Sequence, residues 1–269
     1  MPFPNPAPAS SPVSQQWIRR YHPAPDAQVG LVCFPHAGGS APYYAPLSAA
    51  LAPSVDVTVV QYPGRQERHQ APPVDDVHEL ARQSHEALVE AGLGGAGRPV
   101  ALFGHSMGAL VAFEVARLME RHGGSGPVAL FASGRRAPGR VRTEADVPRD
   151  DASIVADIRS LGGTDSRILA DPELLGMVLP ALRSDYRAVA SYRADADARI
   201  GAPVVVLVGD ADPHTTREEA HAWHGHTAGA FEVHTFSGGH FYLEGQKEAV
   251  STTVAQALRR LRGDGAAGA

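Results

Sequence analysis

The chain has 269 residues and a formal net charge of −5, with 43% hydrophobic, 20% charged and 6% aromatic residues. That length fits one large domain, or one domain with an insertion, and the apolar share suffices for a core of that size. The acidic balance argues against a polyanion-binding surface, the single cysteine rules out an intrachain disulfide, and no apolar run is long enough to span a bilayer.

Residues 1–14 are rich in proline, alanine and serine and lack the basic and apolar regions of a secretory signal. They read as a disordered lead, and the expected location is the cytoplasm. Trp17 to Tyr21 is a candidate edge strand. The apolar run at 29–34 reads as a strand that buries Cys33, a thiol expected to be core rather than nucleophile. It leads into Pro35-His36-Ala37-Gly38-Gly39. A helix is expected at 41–52 and a strand at 55–61, followed by the loop residues Arg65 and Arg68. These two arginines suit either an external phosphate or acidic group or, the preferred reading, backbone carbonyls or a carboxylate. A helix at 75–91 and a strand at 99–103 come next.

The strand at 99–103 runs into Gly104-His105-Ser106-Met107-Gly108, and a helix is expected at 107–122. A strand that turns at once into a helix holds its serine in a strained, exposed position, and the flanking glycines remove the Cβ atoms that would clash. The helix N-terminus behind the serine favours developing negative charge. His105, although adjacent, points elsewhere on such a turn and is expected to be structural.

After a strand at 127–132 the alternation stops. About seventy residues separate this strand from the one at 203–208, far more than an ordinary loop. Within 135–198, Ile154, Val155, Ile158 and Leu161 recur at helical spacing. So do Leu174, Leu175, Val178, Leu179 and Leu182, followed by Tyr186, Val189 and Tyr192. Pro180 is expected to interrupt or kink the second helix. Helices inserted here would roof the site as a mobile lid. The division expected is therefore a core of 15–134 and 199–262, a helical insertion at 135–198, and a flexible tail at 263–269.

Beyond the insertion, the strand at 203–208 ends at Gly209-Asp210-Ala211-Asp212-Pro213, and a helix is expected at 215–225. The strand at 231–236 ends at Ser237-Gly238-Gly239-His240-Phe241, before a helix at 245–262. Strand and helix alternate along the chain, which predicts an α/β fold with a mostly parallel sheet. Every candidate reactive group follows a strand, as expected for a site outside the carboxyl ends of a sheet.

A serine hydroxyl needs a base at neutral pH, and the base needs an orienting carboxylate. The order serine, carboxylate, histidine assigns Ser106 as nucleophile, His240 as general base and then acid, and Asp212 as orienter. Asp210 is the lesser alternative, suited to holding the loop. The N–H groups of Ala37 and Met107 are the expected oxyanion-hole donors, with His36 shaping that loop. His221, His224 and His226 lack the accompanying ligand pattern of a zinc site, so no metal and no cofactor is expected.

Five segments in order resemble type II thioesterases: Phe34-Pro35-His36-Ala37-Gly38-Gly39, Gln61-Tyr62-Pro63-Gly64-Arg65, the Ser106 pentapeptide, Gly209 to Pro213, and Gly238-Gly239-His240-Phe241. Leu182-Arg183-Ser184-Asp185-Tyr186 resembles the lid stretch of the same family. The similarity runs from about Ile18 to Leu261, with no departure at the segments quoted. It implies the α/β-hydrolase fold with an inserted helical lid, the triad Ser106, Asp212 and His240, and an oxyanion hole at Ala37 and Met107.

By the same resemblance, the expected partners are acyl or peptidyl carrier proteins of polyketide synthases and nonribosomal peptide synthetases. Their phosphopantetheine arms would be cleared of short or aberrant acyl groups. The triad residues do not distinguish a thioester from an oxygen ester. A chain-releasing thioesterase, a general carboxylesterase and a non-catalytic binding scaffold therefore stand as alternatives. The releasing type is usually fused to a carrier, and Asp165-Ser166-Arg167 does not match a carrier's D-S-L attachment motif.

Overall fold

The computed structural model describes residues 12–95, 97–122, 126–140, 150–163, 170–195 and 197–263. The strands are β1 (Ile18–Arg19), β2 (Gly30–Phe34), β3 (Asp56–Val60), β4 (Val100–His105), β5 (Leu130–Ser133), β6 (Val204–Gly209) and β7 (Phe231–Phe236). They form one sheet in the order β1-β3-β2-β4-β5-β6-β7, with β1 antiparallel to β3 and every other pair parallel. Residues 18 and 19 alone of the expected edge segment pair with β3.

The inner strands of a parallel sheet are covered on both faces, so they read as near-continuous apolar runs, whereas the edge strand β7 alternates apolar with polar residues. In β2 and β4 every residue is buried. The period of two still decides which core each residue joins. Leu102 packs with Leu80, Leu110, Phe113 and Trp223, whereas Ala101 and Phe103 pack with Leu31, Val254 and Leu258. Cys33 lies wholly inside this second core.

The helices that bring those side chains are α1 (Pro12–Trp17), α2 (Ala45–Leu51), α3 (Val77–Glu90), α4 (Met107–Arg121), α5 (Asp151–Leu161), α6 (Pro172–Ser191), α7 (Arg217–His221), α8 (Tyr242–Gly245) and α9 (Lys247–Leu261). Local chemistry starts several of them. Asp76 caps α3 by accepting the Glu79 N–H at 2.8 Å, and Asp150 with Ser153 forms a reciprocal box at α5. Asp171 accepts the N–H groups of Glu173 and Leu174 ahead of α6, where Pro172 takes the first turn.

Some boundaries differ from the sequence reading. Of the lead expected to be disordered, residues 1–11 lie outside the described residues, while Pro12 to Ser14 already belong to α1. Of the expected tail, 264–269 lie outside as well. The helix expected at 41–52 opens as a short 3-10 helix over Ala41–Tyr44. The helix expected at 215–225 stops at His221 and continues as 3-10 over Ala222–His226, where Trp223 Nε1 turns inward to donate to the Arg135 carbonyl at 2.7 Å. The helix expected at 245–262 runs as α9 over Lys247–Leu261, with the short α8 just ahead of it. Helix α6 runs through Pro180 without interruption.

Helices α5 and α6 fill the long gap between β5 and β6. They share a small core of their own, in which Ile154, Ile158 and Leu182 pack with Leu175, Val178 and Tyr186. The end of α6 is tied to the main body. There Tyr192 donates to the buried Glu114 Oε1 of α4 at 2.8 Å, and Arg117 satisfies the rest of that carboxylate.

Candidate active site

Ser106 joins β4 to α4 with φ 53° and ψ −118°, a left-handed conformation rare for a side-chain-bearing residue. Holding it there costs roughly 1–3 kcal/mol, which the surrounding packing sustains. Two glycines make the turn possible. A Cβ on Gly104 would lie 2.1 Å from the Gly108 carbonyl oxygen, and one on Gly108 would lie 2.0 Å from the Phe34 carbonyl oxygen. The Ser106 N–H donates to the Ser133 carbonyl at 2.8 Å, locking the elbow to β5. The side chain remains half-exposed at the sheet's carboxyl end.

The loops after β6 and β7 meet beside this elbow. Gly209 and the Gly238–Gly239 pair approach so closely that a Cβ on Gly209 would lie 2.4 Å from both of their carbonyl oxygens. The contact brings His240 against Asp212, with Nδ1 at 3.0 and 2.9 Å from the two carboxylate oxygens. A carboxylate only accepts, so Nδ1 carries the proton and, in the neutral ring, Nε2 keeps the lone pair. Both side chains are buried. Asp210, the alternative orienter, instead accepts the Gly238 N–H at 2.9 Å and holds the loop. Among the described residues Ser106 Oγ makes no hydrogen bond, to His240 or to any other group. The ring of His240 lies 5.0 Å, centroid to centroid, from that of His105, the residue preceding the serine.

The loop after β2 carries three successive N–H groups. That of Gly38 donates to Asp185 Oδ2 at 2.7 Å, and that of Gly39 to the His36 carbonyl at 2.9 Å. Among the described residues the N–H of Ala37 donates to nothing. Nor does that of Met107, which opens α4 and so has no intrahelical acceptor. These are the two donors expected from the sequence. Asp185, fully buried, also receives both terminal nitrogens of Arg65 at 2.8 Å. Arg65 donates further to the Gly39 and Pro63 carbonyls. Arg68 lies over the Trp17 ring and donates to the Gln61 carbonyl. Both arginines thus serve protein groups.

The other histidines near the site are structural in geometry. His105 is buried, its Nδ1 2.9 Å from Ser133 Oγ, which in turn lies 2.6 Å from the Tyr242 hydroxyl. Burial, reinforced by neighbouring His240 and His36, pushes its pKa well below the ordinary histidine value. His36 packs edge-on against Tyr43 and Phe241, and burial, with His240 and Arg65 nearby, lowers it to about 3. Both rings stay neutral at working pH. His221 and His226 bond backbone carbonyls, and among the described residues no group of side chains is arranged to hold a metal.

Three participants around the site were not singled out by the sequence, His214, Ser133 and Tyr242, and Asp185 entered only within the stretch that resembles the family's lid. His214 donates its N–H to Asp212 Oδ1 at 2.8 Å, and its ring lies 5.3 Å from that of His240. The available signals were weak. Asp185 is the one carboxylate among the buried residues of α6, and His214 follows Asp212 by two residues.

A seven-stranded, mostly parallel sheet with a serine elbow at its carboxyl end, and a histidine–carboxylate pair on the loops beside it, defines an α/β-hydrolase. A family model for the thioesterase domain matches residues 30–258, and the chain belongs to that family of thioester hydrolases. It is 47% identical over 247 residues to Thioesterase PikA5 of Streptomyces venezuelae, covering 92% of this chain and 87% of that one. It is also 47% identical over 254 residues to a probable cadicidin biosynthesis thioesterase of Streptomyces griseus, covering 94% and 69% respectively. Among solved structures, the type II thioesterase BorB of the borrelidin biosynthetic cluster superposes with a TM-score of 0.80 at 47% identity, over 90% of this chain and 98% of its own. YbtT, a type II thioesterase of the yersiniabactin pathway, does so with 0.81 at 28% identity, over 91% and 99%. Among the described residues no helix is long and apolar enough to cross a membrane.

Proposed function

We propose that this thioesterase acts in trans on carrier proteins of a polyketide or nonribosomal-peptide assembly line in the cytoplasm, hydrolysing short or aberrant acyl groups from the phosphopantetheine arm. The observation that carries the chemistry is the buried His240–Asp212 pair beside the strained Ser106 elbow. The substrate class is supported by relatives named as type II thioesterases of such pathways.

In the proposed reaction Ser106 Oγ attacks the thioester carbonyl carbon while His240 Nε2 takes the hydroxyl proton. The carbonyl oxygen becomes an oxyanion that accepts from the Ala37 and Met107 N–H groups. The carbon–sulfur bond breaks, and His240 returns the proton to the departing thiol. Water then attacks the acyl-serine with His240 again as base, releasing the carboxylic acid and restoring Ser106. The Ser106–His240 hydrogen bond that this step uses forms when substrate fills the site, as apo active sites commonly tighten on binding. No metal or cofactor enters beyond the arm that the substrate carries. Helices α5 and α6 act as the lid, with a Leu182 methyl group so close to Gly38 that a Cβ there would lie 2.5 Å from it.

The test is a mass-spectrometric panel of carrier proteins loaded with acetyl, propionyl and longer acyl groups, with wild type beside Ser106→Ala. Release of short acyl groups by wild type alone is expected. Absence of release, or equal release by the variant, overturns the reading. Faster turnover of full-length chains would indicate product release instead, and hydrolysis of p-nitrophenyl esters without carrier-thioester activity a general esterase.

A further inference from the structure

We infer that Asp185 is a positioning residue for the oxyanion loop, and that Arg65 is retained to neutralise Asp185 there. The inference rests on the proposed mechanism for its use of the Ala37 N–H. Three geometric facts carry it. First, of the N–H groups on residues 37 to 39, two are committed, and Asp185 commits the middle one, at 2.7 Å. A carboxylate that holds the Gly38 N–H fixes the peptide plane next to the Ala37 N–H, leaving that one donor for substrate. Gly38 itself sits at φ 74°, where its backbone has no side chain to restrain it, so an external hold is needed.

Second, the hold comes from the insertion. Asp185 and Leu182 project from the same face of α6, three residues apart, and both meet Gly38: one through its N–H, the other against its Cα. The insertion and the oxyanion loop are thereby a single mechanical unit. Displacement of this part of α6 would release the Gly38 peptide.

Third, a bare buried carboxylate one peptide away from the Ala37 N–H would oppose the oxyanion that the site must stabilise. Arg65 removes that charge with a two-pronged grip at 2.8 Å and also ties the Gly39 carbonyl. The pair is buried on both sides, with side-chain exposures of 7% and 0%, so water does not screen it.

A purely structural ion pair and a positioning pair respond differently to removal of each partner. Arg65→Gln leaves the carboxylate bare beside the hole, whereas Asp185→Asn leaves an acceptor for the Gly38 N–H and no negative charge. The experiment measures kcat and KM for p-nitrophenyl acetate, with thermal unfolding to establish that each variant is folded at the assay temperature. We expect kcat to fall at least tenfold further in Arg65→Gln than in Asp185→Asn, with KM little changed.

The double variant Arg65→Met with Asp185→Leu carries no buried charge and no hold on Gly38. It should lose kcat by about 10- to 1,000-fold, up to the value of one oxyanion donor. Equal losses in the two single variants overturn the inference. If either single variant is unfolded, wild-type kcat in the double variant does the same. The oxygen-ester substrate keeps the outcomes separate: a wild-type enzyme inactive on carrier thioesters but active on the ester sinks the proposed function and still decides the role of Asp185.

Discussion

His214 Nε2 meets Asp157 Oδ1 at 3.0 Å, joining the loop that carries Asp212 to helix α5 of the insertion. The other oxygen of Asp157 accepts the Tyr186 hydroxyl of α6 at 2.8 Å, so one carboxylate bridges both inserted helices and the catalytic loop. Asp157→Ala removes both bonds, together worth roughly 1–3 kcal/mol. Amide exchange over residues 151–161 should accelerate by about fivefold or more, with KM for acyl substrates rising more than kcat falls. Unchanged protection would show that other contacts hold α5.

The two aspartates after β6 should separate by orders of magnitude. In Asp212→Asn the amide oxygen stays with the His214 N–H, and the amide nitrogen takes the position 2.9 Å from His240 Nδ1. A donor there forces the opposite histidine tautomer, a change that costs about 10⁴ in kcat in a serine triad. Asp210→Asn alters only a carboxylate that accepts the Gly238 N–H, and kcat should fall less than about tenfold. Steady-state kinetics on the two variants tests this, and similar losses would contradict it.

Acid stability should be set partly by His36 and His105. Each is held neutral in the fold by burial, His36 at about 3 and His105 well below the ordinary 6.5. In the unfolded chain both bind a proton as pH falls through about 6.5, whereas the folded chain does not. Their contribution is therefore fully present above that pH and is lost on acidification, for His36 down to about pH 3. Between these limits His36 costs about 1.4 kcal/mol per pH unit. His36→Phe keeps the edge-on ring contacts and abolishes one titration. Urea unfolding between pH 6 and 4 should show a pH slope shallower by about that amount. An unchanged slope would mean that the His36 ring is not held neutral.

Gly108→Ala should be among the most damaging small substitutions. Its Cβ would lie 2.0 Å from a main-chain oxygen of β2, which cannot swing aside as a side chain would. The substitution should cost more than about 3 kcal/mol, the upper end of ordinary overpacking, and lower the melting temperature accordingly. Gly176→Ala, with open space around its Cβ on α6, is the control and should be neutral or slightly stabilising.

What sequence could reveal depended on how local each feature was. The Ser106 elbow is contained in five residues, the loop bearing Asp212 follows an unbroken apolar strand, and the loop bearing His240 follows an alternating one, so their chemistry is legible in order. Asp210 and Asp212 lie two residues apart on one loop, so their sequence does not separate them; in the fold Asp212 meets His240 and Asp210 meets the Gly238 N–H. Asp185 was not legible as part of the site. Its partner Arg65 lies 120 residues earlier, and only the packing of α6 on the β2 loop joins them. Helix ends drifted where a buried side chain overrode propensity, as Trp223 does beyond α7.

The chemistry proposed for this enzyme ends each cycle by liberating a free thiol inside its own site. A protein with an accessible cysteine would risk trapping that product as a mixed disulfide whenever oxidant is present. Here the sole thiol, Cys33 of β2, is sealed in the core, and burial raises its pKa far above the range in which thiolate forms. The folded enzyme is in this sense redox-silent towards its own product. The same silence makes a cysteine placed at exposed Met177 on α6 a unique attachment point for a reporter that tests whether the inserted helices move.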